Sequence, residues 1–330
     1  MLARTARGLG LLLERVFQAL GGQRQRPVGA VEEMDGGQRQ GIGDGQGQAA
    51  QQRRVRTQVG DTRLSTLGAV IPGQQVAGAK IYTTVHGAFN FVSVLFDALS
   101  GQALATLDAG AITQWRTAAC SVLAAQRGAN PHSQTLGVLG LGAQGMAHAL
   151  QFCQTFDLQR VLVWSPNVDE KRCHQLELEC GVPVRAARAE EIAAQADILV
   201  TASRSRDPLF DGRSLKPGCF VAAVGSSLPT ARELDDACLQ RAGKIVVEWG
   251  EQTLAEAGDL ILAASNCGVS DKLCELSDWL QLDRGQGYDA QGICVYKSVG
   301  VAIEDIAVAG LAYRRYQQSK MAQETVAEHG

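Results

Sequence analysis

The sequence lacks two features whose absence excludes whole classes of protein. No apolar run approaches the roughly 20 residues that a helix needs to span a bilayer, so no transmembrane segment is expected. The 31 Lys and Arg residues nearly balance 34 Asp and Glu residues, and the net charge of −3 offers no electrostatic footprint for nucleic acid or an anionic membrane.

The length of 330 residues predicts about two domains.

The cysteines also lack any pattern. Nine of them are scattered singly, with no C-x-x-C pair and no His–Cys cluster at the spacing of a zinc site. We therefore expect neither a disulfide framework nor a metal site. An odd, unpatterned set of thiols in a chain of this length is typical of reduced cysteines, which predicts a cytoplasmic location.

The strongest motif is a glycine-rich turn that joins an apolar run to a helical segment. Residues 136–139 are apolar, and Gly140, Gly142 and Gly145 follow in the G-x-G-x-x-G spacing before a helix expected over residues 144–156. In such a turn the first glycine makes the tight bend, the second lets the backbone approach a pyrophosphate, and the third lets helix and strand pack closely. The motif predicts a dinucleotide site; the alternative is a tight turn without a ligand.

The start of that helix completes the predicted phosphate site. Ala143 and Gln144 lie at its N-terminus, where free N–H groups and the positive end of the helix dipole face a phosphate. We therefore expect both residues to bind the cofactor. A second strand over residues 160–164 follows at the distance of a βαβ unit, which favours a nucleotide-binding turn.

Beyond the turn, apolar runs and helical segments alternate, which predicts a doubly wound parallel sheet. Strands are expected over residues 136–139, 161–164, 182–185, 198–202, 220–224, 245–248 and 293–296. Helices are expected over residues 144–156, 169–180, 189–195, 232–241 and 298–316. Upstream, three further strands are expected over residues 79–83, 93–96 and 103–107, with a hairpin turn at residues 100–101. Together they predict a separate antiparallel unit, and a helix expected over residues 112–127 follows it.

The first 58 residues differ from the rest of the chain. Residues 1–20 favour a helix that carries Arg4, Arg7 and Arg15; we interpret it as the first helix of a domain, with a mitochondrial transit peptide as the alternative. Residues 21–58 are rich in Gly and Gln and have almost no apolar periodicity, so burial cannot offset their ordering entropy. We expect this segment to be loop-like or disordered.

Several motifs, in a fixed order, resemble those of one family. They are VRT at 55–57, GAK at 78–80, VLFD at 94–97, ITQWRTAA at 112–119, GLGAQG at 140–145, AVG at 223–225, REL at 232–234 and KSVGVAIED at 297–305. The chain resembles the ornithine cyclodeaminase/mu-crystallin family of NAD(P)-dependent imine reductases, amino-acid dehydrogenases and cyclodeaminases. The resemblance implies an α/β fold in which a Rossmann domain is inserted into a mixed α/β domain that forms a homodimer. The expected divisions are a substrate-binding and dimerisation domain over 1–113, the Rossmann domain over 114–296 and a returning helix within 297–330.

The resemblance assigns the substrate carboxylate to three cations. Arg56, Lys80 and Arg116 match the family positions that bind this group, for which Arg offers a bidentate fork. Arg53 and Arg54 compete with Arg56 for its role. Lys80 is also the expected proton donor, because burial lowers the pKa of an ammonium group. For each cation the alternative is a solvated surface charge.

The resemblance also implies which residues contact the nicotinamide and the rest of the cofactor. Asp305 is expected near the nicotinamide as a catalytic residue, with Glu304 facing another side of the same helix. The other expected cofactor contacts are Arg116, Thr117, Thr201, Ala202, Val224 and, near the carboxamide, Ser298.

The segment after the second strand of the Rossmann unit decides the cofactor preference. An NAD-type site has an acidic residue there that binds the ribose 2′-hydroxyl, but no carboxylate occurs before Asp169. Ser165 and Asn167 can bind a 2′-phosphate, and Arg172 lies nearby. NADPH is therefore the expected cofactor, with NADH tolerated.

Residue 227 separates the reactions of this family. Cyclodeaminases carry an aspartate in the Gly-Gly-Asp that follows the fifth strand, whereas this chain has Ser227, which cannot activate attack on a cyclic intermediate in the same way. The run is more similar to that of the ketimine reductases. It implies reduction of Δ1-pyrroline-2-carboxylate or Δ1-piperideine-2-carboxylate to L-proline or L-pipecolate. The alternatives are alanine dehydrogenase or ornithine cyclodeaminase activity, or a non-catalytic NADPH-dependent binding protein.

Overall fold

The computed structural model describes residues 49–328, which form two β-sheets and the helices that pack on them. The helix predicted over residues 1–20 and the part of the Gly- and Gln-rich segment up to residue 48 lie outside the described residues. None of the described helices combines the length and the apolar character that crossing a bilayer requires.

The first sheet is antiparallel, with the strand order β1-β3-β4-β5-β6 and with β2 also paired to β3. Its strands are β1 (Ala50–Gln51), β2 (Val55–Val59), β3 (Thr62–Ile71), β4 (Val76–Val85), β5 (Ala88–Asp97) and β6 (Ala103–Asp108). The three strands predicted here are confirmed, although β3 was not predicted. The predicted hairpin is also confirmed, since β5 and β6 pair on either side of Gly101, whose φ of 73° suits a tight turn.

The prediction of a loop-like segment over residues 21–58 is wrong at its described end. β2 has only two apolar residues, yet its backbone pairs with β3 from Val55 to Val59. Gly60, with a φ of 55°, makes the turn between the two strands. Backbone hydrogen bonds to a neighbouring strand therefore order this segment where apolar burial alone would not.

The second sheet is parallel, with the strand order β13-β12-β14-β11-β10-β7-β8-β9. Its strands are β7 (Thr135–Leu139), β8 (Arg160–Trp164), β9 (Val184–Ala186), β10 (Ile198–Thr201), β11 (Phe220–Ala223), β12 (Ala242–Val247), β13 (Leu273–Glu275) and β14 (Ile293–Lys297). The strand order reverses between β7 and β10, so a crevice opens beyond their carboxyl ends. The predicted fold class is confirmed; β13 was not predicted.

The helices are α1 (Gly110–Gly128), α2 (Ala143–Thr155), α3 (Glu170–Cys180), α4 (Ala189–Gln195), α5 (Asp236–Arg241), α6 (Gly250–Glu256), α7 (Gly258–Ile261), α8 (Val269–Lys272), α9 (Leu276–Trp279) and α10 (Ala302–Glu328). α5 begins later than predicted, because Asp235 caps it. α10 also begins later than predicted. Gly300 adopts a φ of 76°, and its N–H donates to Glu248 at 2.8 Å, so the chain is held in a turn before the helix.

Two helices, α1 and α10, connect the sheets. α10 packs on β3, β4 and β5 and also against α1, and we call the side of the first sheet that it covers the inner face. Gly78 allows this close approach, since a Cβ there would lie 2.4 Å from the Val94 carbonyl oxygen and 3.2 Å from Ile306 Cδ1. Polar side chains of β4, α1 and α10 can therefore meet between the two sheets.

Candidate active site

Each glycine of the turn has the geometry that its predicted role requires. Gly140 has a φ of 102°, and a Cβ there would lie 2.5 Å from the Ala202 carbonyl oxygen. A Cβ at Gly145 would lie 2.0 Å from the Gly140 carbonyl oxygen. A Cβ at Gly142, in contrast, would have no atom of the described chain within 4 Å. The packing does not require glycine at position 142, and the open space in front of it fits a pyrophosphate.

α2 begins directly after this open position. Gly142 provides no side-chain cap, so the first N–H groups of the helix are free for an anion. The Gln144 side chain donates to the Thr113 carbonyl of α1 at 3.3 Å, which leaves its backbone N–H, with that of Ala143, for a phosphate. Thr117, also expected at the cofactor, is buried and donates to the same Thr113 carbonyl at 2.8 Å.

The turn after β8 carries the residues from which the cofactor preference was predicted. Ser165 is half-buried and Asn167 is exposed. The first carboxylate, Asp169, caps α3 by accepting from the Arg172 N–H at 2.8 Å. The Arg172 guanidinium reaches back to the Leu141 carbonyl at 2.5 Å, so a cation lies against the glycine turn. The carboxylate and the cation after β8 are therefore both bound to main-chain groups of the protein.

A buried carboxylate organises the ends of β10 and β11. Glu233 accepts from the Thr201 hydroxyl at 2.9 Å, the Ser203 N–H at 2.7 Å and the Gly225 N–H at 2.8 Å. Val224, the next predicted contact, donates its N–H to the Thr201 carbonyl at 2.9 Å. Burial raises the pKa of Glu233, although Lys297 nearby opposes that rise. The Thr201 hydroxyl is therefore already paired within the protein.

A second buried carboxylate fixes the turn that precedes α10. Glu248 accepts from the Ser298 hydroxyl at 2.5 Å, the Tyr296 hydroxyl at 3.1 Å and the Val299 N–H at 2.9 Å. Ser298, expected at the carboxamide, is thus held in place by Glu248. Sequence reasoning missed the role of both carboxylates: Glu248 stands in no motif, and the motif that contains Glu233 does not show which donors the fold brings to it.

Three residues predicted from separate motifs converge in a buried ion cluster. Lys80 of β4 lies 3.1 Å from Asp305 of α10, and Arg116 of α1 donates its Nε to the same Asp305 oxygen at 3.0 Å. Their exposed fractions are 3%, 0% and 5%. Solvated surface charge is therefore the wrong interpretation for Lys80 and Arg116.

Glu304 pairs with the same arginine as Asp305, a contact that its expected position on another side of α10 did not predict. Arg116 donates its Nη1 to Glu304 at 2.6 Å while its Nε binds Asp305. Neighbouring helix residues point about 100° apart, and the wide guanidinium fork spans that angle. Burial, reinforced by Glu248, raises the pKa of Glu304 well above its ordinary value.

Burial and pairing set the protonation of the cluster. Burial lowers the pKa of Lys80 to about 8, and the attraction of Asp305 offsets only part of that fall. Burial alone would raise the pKa of Asp305, but Arg116 and Lys80 outweigh it and hold that pKa below its ordinary value. The cluster thus contains an ionised carboxylate, a permanent cation and an ammonium that titrates near neutral pH.

Arg56 pairs outside this cluster. It donates to Glu256 at 2.8 Å and to the Ser227 carbonyl at 3.4 Å. Arg54 is more deeply placed: it pairs with Glu256 and donates to the Gly300 carbonyl at 2.6 Å. It also lies near enough to Lys80 to contribute to lowering its pKa. Arg54 directly precedes β2, and its spacing of two from Arg56 was the available signal, since residues two apart point to one face of an extended chain.

Sequence reasoning also missed aromatic rings beside Lys80. The Lys80 ammonium lies 4.6 Å from the ring centroid of Phe91 and 5.7 Å from that of Tyr82. These distances are within cation–π range. The rings come from β4 and β5, on the inner face of the first sheet.

An open glycine turn in a doubly wound sheet, with a buried cluster of cations and carboxylates nearby, defines a Rossmann-type oxidoreductase. The family model described as the ornithine cyclodeaminase/mu-crystallin family matches residues 44–320. The chain belongs to this family, and the prediction made from its motifs is confirmed.

Its relatives include reductases. Ketimine reductase mu-crystallin from Mus musculus is 31% identical over 227 residues, which are 69% of this chain and 70% of that protein. Δ1-pyrroline-2-carboxylate reductase from Bacillus cereus is 30% identical over 260 residues, which are 75% of this chain and 79% of that protein. These names agree with the prediction of an imine oxidoreductase.

Solved structures share the fold. A probable ornithine cyclodeaminase from Bordetella pertussis Tohama I is 48% identical, with a TM-score of 0.86 over 95% of this chain and 93% of that chain. Δ1-pyrroline-2-carboxylate reductase from Thermococcus litoralis, in complex with NADH and L-proline, is 23% identical, with a TM-score of 0.83 over 96% of this chain and 94% of that chain.

The glycine turn yields a test that separates binding from folding. Gly142→Val should fold as the parent does, since its Cβ enters open space, but should lose dinucleotide binding because the side chain occupies the phosphate position. Gly145→Ala is the contrasting variant and should lose stability through its backbone clash. Circular dichroism and cofactor titration by fluorescence measure the two effects. Parental affinity in folded Gly142→Val would show that the turn binds no phosphate.

Proposed function

We propose that this enzyme reduces a cyclic α-imino acid, Δ1-pyrroline-2-carboxylate or Δ1-piperideine-2-carboxylate, to L-proline or L-pipecolate, with NADPH preferred over NADH. The observation that carries the proposal is the Lys80–Asp305–Arg116 cluster, because its Arg116 lies on α1, the helix that contacts the glycine turn. Gln114 of that helix donates to the Ala143 carbonyl at 3.1 Å, so the cluster and the dinucleotide site share a wall. The names of the reductase relatives agree with this reaction.

The cluster fits a substrate with one carboxylate and one electrophilic C=N bond. Arg116 and Lys80 supply the cations for the carboxylate, with Arg56 at the rim. Asp305 Oδ2 is buried without a hydrogen-bond partner among the described residues, and it would accept from the N–H of a protonated imine. The same residues would thus orient the substrate and exclude water from it.

Lys80 is the proton donor in this proposal. The imine nitrogen must carry a proton before its carbon accepts a hydride, and a pKa of about 8 leaves the Lys80 ammonium able to donate near neutral pH. When bound, the reduced nicotinamide supplies the hydride. Asp305, whose pKa is held low, stays ionised and stabilises the cationic imine.

Ornithine cyclodeaminase activity is the alternative that one relative favours, because the 48% identical protein is named a probable ornithine cyclodeaminase. Position 227 separates the two reactions. Ser227 is half-buried, its carbonyl accepts from Arg56, and it supplies no carboxylate for attack on a cyclic intermediate. Purified enzyme should therefore oxidise NADPH with either cyclic imino acid and form no proline from ornithine and NAD. Proline from ornithine would contradict the proposal.

Kinetics of cluster variants should reveal the carboxylate site. Arg116→Lys keeps the charge and loses the fork, so it should raise KM, and Arg116→Ala should lower kcat/KM by about 30- to 1000-fold. Arg213→Lys, whose side chain is 80% exposed, is the matched control. The parent should lose kcat/KM as pH rises through about 8, and Lys80→Arg should abolish that fall, because its guanidinium does not titrate there. Folded variants with parental kinetics would remove these residues from the site.

Cofactor preference should follow charge after β8. Ser165→Asp places an anion beside the proposed 2′-phosphate position, so it should weaken NADPH about tenfold more than NADH. Ser265→Asp introduces the same charge at an exposed position elsewhere on the Rossmann unit and serves as the control. Dissociation constants for both cofactors provide the measurement. Equal losses for the two would place Ser165 away from the ribose.

A homodimer is proposed from the outer face of the first sheet, the side away from α10. Cross-strand pairing aligns partly exposed apolar side chains there, namely Val70, Ala77, Ile81, Val92, Val94 and Phe96. Such a contiguous patch is typical of an interface. A cytoplasmic location stays a prediction from the cysteine pattern.

Sedimentation tests this interface. The parent should have twice the 35.0 kDa chain mass, and Phe96→Asp should shift it toward monomer by burying a charge in the interface. Leu178→Asp is the control, since Leu178 is 73% exposed on α3. A Phe96→Asp protein that keeps the mass of the parent would exclude this face.

A further inference from the structure

Three aromatic rings form a continuous wall on the inner face of the first sheet. Tyr82 of β4 lies 5.2 Å from Phe91 of β5 between ring centroids, and Phe91 stacks on Phe89 at 5.6 Å with an interplanar angle of 5°. Tyr82 and Phe89 lie 6.2 Å apart. The wall begins at Lys80, whose ammonium is 4.6 Å from the Phe91 centroid, and it extends toward the β4–β5 hairpin.

The hairpin faces the second sheet. A Cβ at Gly87, in the turn between β4 and β5, would lie 3.5 Å from Arg204 Nη1. Arg204 follows β10, at the carboxyl edge where Thr201 ends the strand. The hairpin that follows the ring wall therefore approaches the carboxyl edge of the parallel sheet, where the dinucleotide crevice opens.

Core packing does not account for the two phenylalanines of this wall. Phe89 is 49% exposed, and neither it nor Phe91 belongs to the buried apolar clusters or packs against them, whereas Tyr82 packs against the larger cluster. Stacked phenylalanines that stay open to a cleft present a planar apolar surface, and aromatic groups pair with such a surface in stacked or tilted geometry.

We propose that Tyr82, Phe89 and Phe91 form the subsite for the substrate's side chain and select an α-imino acid that carries a planar apolar group, such as an aryl ring. This inference rests on the proposed function. A carboxylate on Lys80 fixes one end of the substrate, and the rings begin within 5 Å of the same ammonium, so a substituent near the imine carbon reaches them. The site thereby accepts more than an unsubstituted five- or six-membered ring.

A second copy of the chain is the competing occupant of the wall. The rings lie on the inner face, whereas the apolar patch with Phe96 lies on the outer face, because adjacent side chains of a strand alternate. The continuity of the wall with Lys80 favours the substrate. A dimer that covered the rings would also leave the outer patch without a partner.

The test compares two imines that differ only in the aryl group. Methylamine condenses with pyruvate or with phenylpyruvate to give N-methyl imines, and kcat/KM is measured for each with NADPH. The parent should prefer the aryl substrate. Phe89→Ala and Phe91→Leu should lower the aryl-to-methyl ratio of kcat/KM by about 10- to 100-fold, the range for losing burial of one large apolar group. Tyr316→Ala removes a 65% exposed ring from α10 and should leave the ratio unchanged.

The outcomes separate this inference from the function on which it rests. A parent that reduces neither imine, nor a cyclic imino acid, overturns the proposed function and this inference with it. A parent that reduces both imines, with a ratio that Phe89→Ala and Phe91→Leu leave unchanged, overturns the subsite alone. Dissociation of the dimer in Phe89→Ala without a change in the ratio would assign the rings to a second copy. Phe89 is half-exposed, so its variant should fold even if Phe91→Leu does not.

Discussion

One carboxylate connects the parts of this molecule that matter for its chemistry. A single oxygen of Asp305 accepts from both Lys80 and Arg116, which lie 225 and 189 residues away along the chain. All three side chains are buried, and loss of one partner from such a cluster costs about 3–5 kcal/mol because a charge is left uncompensated. The first sheet, α1 and α10 therefore meet at this cluster, and the balance of its charges fixes their relative positions.

Two further carboxylates hold the backbone around that point. Glu248 binds the turn at Ser298 and Gly300 and so determines where α10, which carries Asp305, begins. Glu233 holds the ends of β10 and β11 in the same manner. Both groups act on main-chain N–H donors, which makes the strand ends rigid before any ligand arrives, and preorganised polar groups of this kind need no rearrangement during a reaction.

The first sheet separates two tasks by the alternation of its side chains. Its inner face carries Lys80, Tyr82 and Phe91 toward the cleft, while its outer face carries Val92 and Phe96 away from it. A period of two makes this division strict, since a shift of one residue would exchange the faces. Chemistry and the proposed subunit contact can thus share the same strands without competing for side chains.

Local pattern was enough for much of the fold. The glycine spacing and the alternation of strands and helices predicted the doubly wound sheet, because turn geometry and periodicity are properties of neighbouring residues. The family motifs in turn indicated Lys80, Arg116 and Asp305, although their joint contact could not be read from spacing. β2 was missed because its order comes from pairing with β3 and not from its own composition.

Only the tertiary structure decided how the site is completed. Arg54 and Glu248 stand in none of the motifs and bind residues far away in the chain, since Arg54 donates to the Gly300 carbonyl 246 positions further on. The aromatic rings also stand outside the motifs, and the motif that contains Glu233 does not show its partners. The pairing of Glu304 with Arg116 likewise depends on how α10 is placed against α1. Sequence determines which elements form, since their hydrogen bonds are local or patterned. The charges that meet between elements are selected by packing, because a buried ion is stable only where the fold supplies its partner.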